Sequence, residues 1–203
     1  MIHHFFKFLR DEVRAVAAVE LALIAPIILT LILLSVEIGT YLIAHQRISR
    51  ASYTISNLMT QMDEGLTEGQ VSDMMLSLDE VSQPFNLTED GIATVTAIIG
   101  VGTDGAVPDS YRVAWTRCFG DNNMTANGSY GSKGDTVADS LVPANMIVTT
   151  SQILVVTEVA YNFESPIGLL DLSTEIQYAS FFRPRLGAIE DIIADGTSGY
   201  TCW

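Results

Sequence analysis

The chain has 203 residues, of which 48% are hydrophobic, and its formal net charge is −14. This length suits one domain of typical size together with a membrane anchor, and it excludes an assembly of many domains. Beyond Ala44 there are seven basic and twenty acidic residues, which leave a charge of −13 there. Such a surface cannot neutralise a run of phosphates, so the sequence argues against nucleic acid as a partner.

A nearly continuous apolar run extends from Val16 to Ala44 and is interrupted only by Glu20, Glu37 and a few small or hydroxylic residues. A helix rises about 1.5 Å per residue, so this run exceeds the ~20 residues that cross a bilayer. It also ends without the small-x-small site of an ordinary cleaved secretory signal. The sequence therefore predicts a single membrane-spanning helix.

Basic residues on the short N-terminal side predict the orientation of this helix. Lys7, Arg10 and Arg14 precede the apolar run, whereas the other flank leads into an acidic domain. Basic flanks stay in the cytoplasm. The predicted domains are a basic cytoplasmic leader (1–15), a transmembrane helix (16–44) and a periplasmic domain (45–203).

Glu20 is unusual because a carboxylate inside an apolar helix costs about 3 kcal/mol near the bilayer centre, so it usually has a partner. A peptidase that cut after Ala15 would create a free amine on Val16, four residues before Glu20. Opposite charges ~4 Å apart attract by about 4 kcal/mol at an effective dielectric near 20, before desolvation is counted. Such a pair would align one subunit with another.

Pro26 and Glu37 are two further candidates for subunit assembly. Pro26 has no N–H, so the Ala22 carbonyl lacks its helical partner and the helix is expected to bend. In lipid that carbonyl needs another partner, such as a neighbouring helix. A tolerated kink without a role is the alternative. Glu37 is expected near the periplasmic headgroups, where a carboxylate costs less, in a structural or interfacial role.

The stretch RDEVRAVAAVELALIAPIILTLILLSVEIG resembles the N-terminus of the TadE/TadF family of pseudopilins, which assemble tight-adherence (Tad) pili. The family pattern is a basic leader, small or apolar residues, a Glu and an Ala-x-x-Ala-Pro stretch, and it places such residues at Glu20, Pro26 and Glu37. Weaker similarities occur in VVTEVAYNFESPIGLL and FFRPR.

The resemblance implies a minor pseudopilin, a structural subunit of Tad-type, type IV-like pili that mediate surface adherence. It implies removal of residues 1–15 by a prepilin peptidase, with Ala15, Val16 and Glu20 as the processing site. The implied partners are other pilin and pseudopilin subunits, this peptidase, the inner-membrane assembly platform and membrane lipid. The implied location is the bacterial inner membrane, as a single-pass protein that also enters an extracellular pilus.

One departure from the family supports an alternative function. Ala15 stands where the family usually has Gly, which favours an uncleaved, membrane-anchored periplasmic adaptor or binding protein. A membrane-tethered enzyme that uses paired carboxylates is the second alternative.

Beyond the membrane the helix is expected to continue, because apolar residues recur at three- and four-residue steps. These residues are Ile48, Ala51, Ile55, Met59 and Met62. A second helix is predicted from about Glu68 to Val81, with its apolar face at Val71, Met74, Met75 and Leu78 and its end marked by Pro84.

Four runs rich in Val, Ile, Thr and aromatic residues follow, separated by Gly, Pro and Asp. They are Ile92 to Ile99, Tyr111 to Cys118, Ile153 to Phe163 and Thr174 to Phe182. Helices followed by strands predict an α+β fold in which a mainly antiparallel sheet packs on the long helix. This architecture is pilin-like.

Cys118 and Cys202 are the only cysteines. They are too far apart in the sequence to resemble a metal site, and in an exported domain a disulfide is the natural interpretation. Closing a loop of roughly 85 residues would stabilise the fold by about 4 kcal/mol and hold a Gly/Ser-rich tail in place. The alternative is two unrelated free thiols.

The segment GDNNMTANGSYGSKGD, between Gly120 and Asp135, is a polar stretch predicted as a solvated surface loop. Asp121, Asn122 and Asn123 offer oxygen ligands for calcium, but their spacing is not that of an EF-hand, so no metal site is assigned.

No catalytic site is predicted. His3 and His4 lie in the leader and His45 lies at the membrane edge, so the core of the exported domain lacks histidine for a catalytic triad or a His-based metal site. No phosphate-binding glycine motif occurs, and no cofactor is expected. The sequence therefore predicts that the protein is not an enzyme.

Overall fold

The structure, a computed structural model, describes residues 13–62, 65–103, 107–121, 124, 130–144, 146, 148–150, 152–187, 189–200 and 202. Residues 1–12 of the predicted leader and the side chains of residues 13–15 lie outside the described part, as do Asn122 and Asn123 of the predicted loop. The chain forms two compact units. One contains residues 1–42 with 165–172, and the other contains residues 43–164 with 173–203.

Helix α1 (Val13–Met59) is 47 residues long and continues through Pro26. In the second unit it buries Ile48, Ala51, Ile55 and Met59 of the predicted stripe, and Ala44 as well. The prediction of Met62 in this stripe was wrong: Met62 lies beyond the helix and is half-buried. The Gln61 and Met62 amides bond to carbonyls three residues earlier, so the α-helical period is lost there.

Helix α2 (Glu68–Ser82) agrees with the predicted second helix. It starts with a capping box in which the Thr67 side chain accepts from the Gln70 amide, while the Gln70 side chain accepts from the Thr67 amide. Its buried apolar side chains are Val71, Met75 and Leu78, whereas Met74 is half-buried. A short helix, α3 (Leu87–Asp90), was not predicted.

A five-stranded antiparallel sheet follows in the order β3-β2-β1-β4-β5. The strands are β1 (Gly91–Val101), β2 (Ser110–Gly120), β3 (Thr136–Val137), β4 (Ile153–Phe163) and β5 (Thr174–Phe182). Four were predicted with nearly these bounds. The predicted α+β class is confirmed, and the two-residue β3 and a 3₁₀ turn at Asp139–Leu141 are additions.

The C-terminal half of α1 packs on one face of the sheet through small and hydroxylic residues. Ser52 Oγ donates to the Thr157 carbonyl of β4 at 2.9 Å, and Ser180 Oγ of β5 donates to the Ser52 carbonyl at 2.8 Å. The rings of Tyr53 and Phe182 meet edge to face, with centroids 4.9 Å apart. Small side chains let the helix lie close to the strands, and these hydrogen bonds satisfy the hydroxyl groups of Ser52 and Ser180.

The opposite face of the sheet is covered by the segments that follow β2. Because side chains alternate along a strand, Phe181 lies on the face opposite Ser180, and it packs on a buried apolar cluster. This cluster comprises Ile98, Val113, Tyr130, Val137, Val142, Val148, Leu154 and Val156. Desolvation in this cluster, together with the negative charge of Glu158, raises the pKa of Tyr130 to about 12.

The segment after β5 returns to the start of α2. Ile193 forms a parallel bridge with Thr67, and its carbonyl accepts from the Glu68 amide at 3.0 Å. Asp195 accepts from the backbone amides of Thr197 and Gly69, and these bonds help to lower its pKa to about 2. Asp195 is therefore ionised at neutral pH, and it satisfies a free N–H in the first turn of α2.

The end of this segment is covalently attached to β2. Cys118 and Cys202 form a disulfide across a sequence separation of 84 residues, as the sequence predicts. The Cys118 amide also donates to the Tyr200 carbonyl at 3.0 Å, and the Trp115 indole N–H donates to the Ile189 carbonyl at 2.8 Å. Residues 189–202, called here the tail clasp, thus connect the start of α2 with β2.

Gly120, at the end of β2, is a site where glycine is required. Its φ is +115°, and a Cβ there would collide with the carbonyl oxygen of Gly91. We expect Gly120→Ala to lower the free energy of unfolding of the sheet domain by about 2 kcal/mol or more, measured by chemical denaturation.

Gly134→Ala is the matched control for this substitution. Gly134 also has a positive φ, +96°, but a Cβ there would meet nothing within 4 Å. It should cost only the strain of the left-handed backbone, about 1 kcal/mol. Equal losses in the two variants would show that the close approach to Gly91 has no separate effect.

Candidate functional site

The N-terminal half of α1 is apolar on every side. All side chains from Val16 to Ile32 are exposed, including Leu23 at 68% and Ile27 at 61%. A helix on the surface of a soluble domain buries an apolar stripe and exposes a polar one, but this helix has no such division. It is long and apolar enough to cross a membrane, by its length and composition.

Hydroxyl groups in this half of the helix bond to its own backbone. Thr30 Oγ1 donates to the Pro26 carbonyl at 2.7 Å, and Ser35 Oγ donates to the Leu31 carbonyl at 2.7 Å. Thr40 Oγ1 donates to the Glu37 carbonyl at 2.9 Å. These polar groups therefore need no water, which suits a helix surrounded by hydrocarbon.

The predicted processing and assembly residues lie along this helix. Val16 and Glu20 are one turn apart, so their side chains share a face, and both are exposed. Pro26 stands within the uninterrupted helix. Glu37 is about 26 Å from Glu20 along the axis. Glu20 and Glu37 therefore belong to two different sites.

Glu37 has a specific structural role that the sequence did not reveal. It is the first buried side chain after Val16, with no exposed surface. Oε1 accepts from the Gly168 amide and Oε2 from the Leu170 amide, each at 3.0 Å, and the Ser165 hydroxyl donates to Oε1 as well. Helix and loop belong to the same compact unit. The carboxylate thus holds the β4–β5 connection (residues 165–172) against the helix.

Ser165, Gly168 and Leu170 were missed by the sequence analysis. They lie roughly 130 residues from Glu37, and no local pattern predicts contact over such a separation. The available signal was the composition of SPIGLLDL, which is unusually apolar for a connection between two strands. A buried carboxylate needs hydrogen-bond donors, and the backbone amides of this loop provide them.

No group of three or more His, Cys, Asp or Glu side chains within the described ranges is placed to hold a metal ion. The calcium ligands considered at Asn122 and Asn123 lie outside those ranges.

A family model of TadE-like proteins matches residues 15–56. This segment is TadE-like. The match begins at the predicted cleavage site, includes Glu20, Pro26 and Glu37, and extends into the part of α1 that packs on the sheet. No curated protein and no solved structure matches the chain. The resemblance suggested by the sequence is thus confirmed for residues 15–56.

The family match bears on function through what is known of the family. The TadE-like family suggests involvement in Tad pilus assembly, and it is a pilus-related, structural family and not an enzymatic one.

Replacing Glu37 tests its role as the anchor of the 165–172 loop. Glu37→Gln keeps the shape of the side chain but replaces one acceptor oxygen with an NH₂ group and removes the charge. We expect hydrogen exchange at the Gly168 and Leu170 amides to accelerate on the order of tenfold, the effect of losing one charged hydrogen bond. Exchange mass spectrometry in detergent micelles measures this change.

Glu20→Gln is the control for this measurement, because it removes a carboxylate from the same helix about 26 Å away. It should leave exchange in the loop unchanged. Unchanged exchange in Glu37→Gln would contradict the anchoring role.

Proposed function

We propose that this protein is a minor pseudopilin, a structural subunit for the assembly of Tad-type pili that mediate surface adherence. The observation that carries the proposal is the TadE-like match over residues 15–56, together with a helix that is apolar on all sides. In this proposal, residues 1–15 are a cytoplasmic leader, residues 16–44 cross the inner membrane and residues 45–203 form a periplasmic domain.

Glu20 is the proposed alignment residue. It is exposed on an otherwise apolar helix, so in hydrocarbon its charge needs a partner. Cleavage after Ala15 would create an amine on Val16, at the end of the same helix. The amine of one subunit and the Glu20 carboxylate of another would attract each other, and this pair would set the axial position of neighbouring helices.

The apolar helix is suited to both stages of assembly. In the bilayer its side chains contact lipid, and in a pilus they would contact the helices of other pilin and pseudopilin subunits. Because both environments are apolar, transfer between them requires no large loss of hydrophobic burial, and packing decides which state is favoured.

The disulfide supports export of the sheet domain. Cys118 and Cys202 are joined in the structure, and structural disulfides persist in oxidising compartments such as the periplasm. The basic residues that precede the helix support the same orientation. With the TadE-like match, the proposed partners are pilin subunits, the prepilin peptidase and the membrane assembly platform.

Processing is the first test of this proposal. Intact mass and N-terminal sequencing are measured on the protein from membranes of cells with and without prepilin peptidase. We expect a chain that begins at Val16 only when the peptidase is present. A chain that keeps residues 1–15 in both strains would overturn the processing step and favour a permanently anchored adaptor.

Glu20→Gln tests the alignment step separately. In cells with the peptidase, we expect this variant to be recovered with sheared pili on the order of tenfold less than the parent, because the attraction to the Val16 amine is lost. Quantitative mass spectrometry of the pilus fraction, normalised to the membrane fraction, measures the loss.

Thr30→Val is a matched control for Glu20→Gln. It removes a hydroxyl that bonds only to the carbonyl of Pro26 in its own helix, as far as the described contacts show. It should assemble like the parent. Normal recovery of Glu20→Gln would disprove the charge pair.

A further inference from the structure

The loop anchored by Glu37 exposes apolar side chains that an aqueous environment does not favour. Ile167 is 37% exposed and Leu169 is 46% exposed, Pro166 is exposed as well, and Leu170 and Leu172 are half-buried. Connections between strands are usually polar because they face water. Several exposed apolar side chains grouped on one loop are typical of a surface that contacts a protein or a membrane.

The length of the helix places this loop at a defined depth. From Val16 to Glu37 the axial rise is about 32 Å, at 1.5 Å per residue. The hydrocarbon core of a bilayer is about 30 Å thick. If the apolar run starts at one edge of the core, Glu37 and the loop bonded to it lie at the other edge.

Apolar side chains are exposed on both the helix and the loop. Val36 and Ile38, on either side of Glu37 in the sequence, are 48% and 45% exposed. The loop belongs to the same compact unit as this part of the helix, and the Glu37 carboxylate holds it there through two backbone amides and the Ser165 hydroxyl. The residues next to Glu37 and the loop that Glu37 binds therefore both offer apolar side chains to their surroundings.

We propose that the 165–172 loop dips into the boundary between headgroups and acyl chains of the outer leaflet, with Ile167 and Leu169 in contact with lipid. Glu37 acts as the tether that fixes the insertion depth. The loop would thus be a second membrane contact of this protein, in addition to the spanning helix. This inference rests on the membrane span of the proposed function but not on its role in pilus assembly.

The charge of this loop and its flanks favours insertion of the apolar side chains over electrostatic attraction to lipid headgroups. Between residues 162 and 175 the chain contains Glu164, Asp171 and Glu175 but neither lysine nor arginine. Peripheral loops that bind through charge need basic residues and anionic lipid. Binding through apolar burial does not, so insertion should be as deep in neutral as in anionic vesicles.

The test uses the full-length chain with its disulfide intact, reconstituted into phosphatidylcholine vesicles with and without phosphatidylglycerol. A fluorophore is attached to the single cysteine added by Leu169→Cys. Its fluorescence is quenched by lipids that carry a spin label on the acyl chain, either near the headgroup (the shallow label) or near the end of the tail (the deep label). We expect quenching by the shallow label to be about twofold or more stronger than at the control position Leu76→Cys.

Two controls make the outcome specific. Leu76, on α2, is 54% exposed and so resembles Leu169 in exposure, and its label should report the aqueous background. Ile27→Cys should be quenched by the deep label, because Ile27 is about 16 Å from Val16, near the bilayer centre. Absence of deep quenching at Ile27 would overturn the membrane span itself, and with it this inference.

Quenching at Leu169 no stronger than at Leu76, with Ile27 quenched normally, would overturn the inference alone. A Leu169 label shielded from both lipid and aqueous quenchers would show that protein covers the loop and would likewise overturn it. The tether is tested by adding Glu37→Gln to the Leu169 label, which should reduce shallow quenching towards the Leu76 level. Unchanged quenching would overturn the tethering role of Glu37.

Discussion

An antiparallel sheet with long apolar strands must cover its faces, and residues 44–59 of α1 provide the cover for one of them. The contact is close because the helix presents alanine and serine among its larger apolar side chains. The hydroxyl groups of Ser52 and Ser180 bond across the contact, so small polar side chains are buried without losing hydrogen bonds. The positions of β4 and β5 against residues 44–59 of α1 depend on this packing.

Most regular elements could be predicted because each has a strong local signal. The continuous apolar run identifies the N-terminal half of α1, and the three- and four-residue recurrence of apolar side chains identifies the rest. Val, Ile and Thr identify the long strands. The two-residue β3 has no such signal, since its formation depends on pairing with Tyr111 and Arg112 of a strand already in place. Met62 was misassigned because periodicity does not reveal where the helix ends.

The helix residues of the candidate site were predictable, but the loop residues that bind Glu37 were not. Glu20, Pro26 and Glu37 stand out because polar residues and proline are unusual in an apolar helix. What Glu37 contacts depends on tertiary structure, which brings a distant loop to the helix, and a single sequence contains no pattern for it. The family match does not fill this gap either, because it ends at residue 56, before the first strand of the sheet.

The disulfide between β2 and the tail clasp also imposes an order on biosynthesis. Cys118 is made 84 residues before Cys202. At about 5–20 residues per second, its thiol remains without its partner for several seconds or longer. During that interval β4 can already pair with β1 and β5 with β4, while the part of β2 near Cys118 lacks its contact with Tyr200. The disulfide therefore forms only after all strands of the sheet have been synthesised. Whether Cys118 and Cys202 are oxidised thus reports whether the new domain has reached this stage.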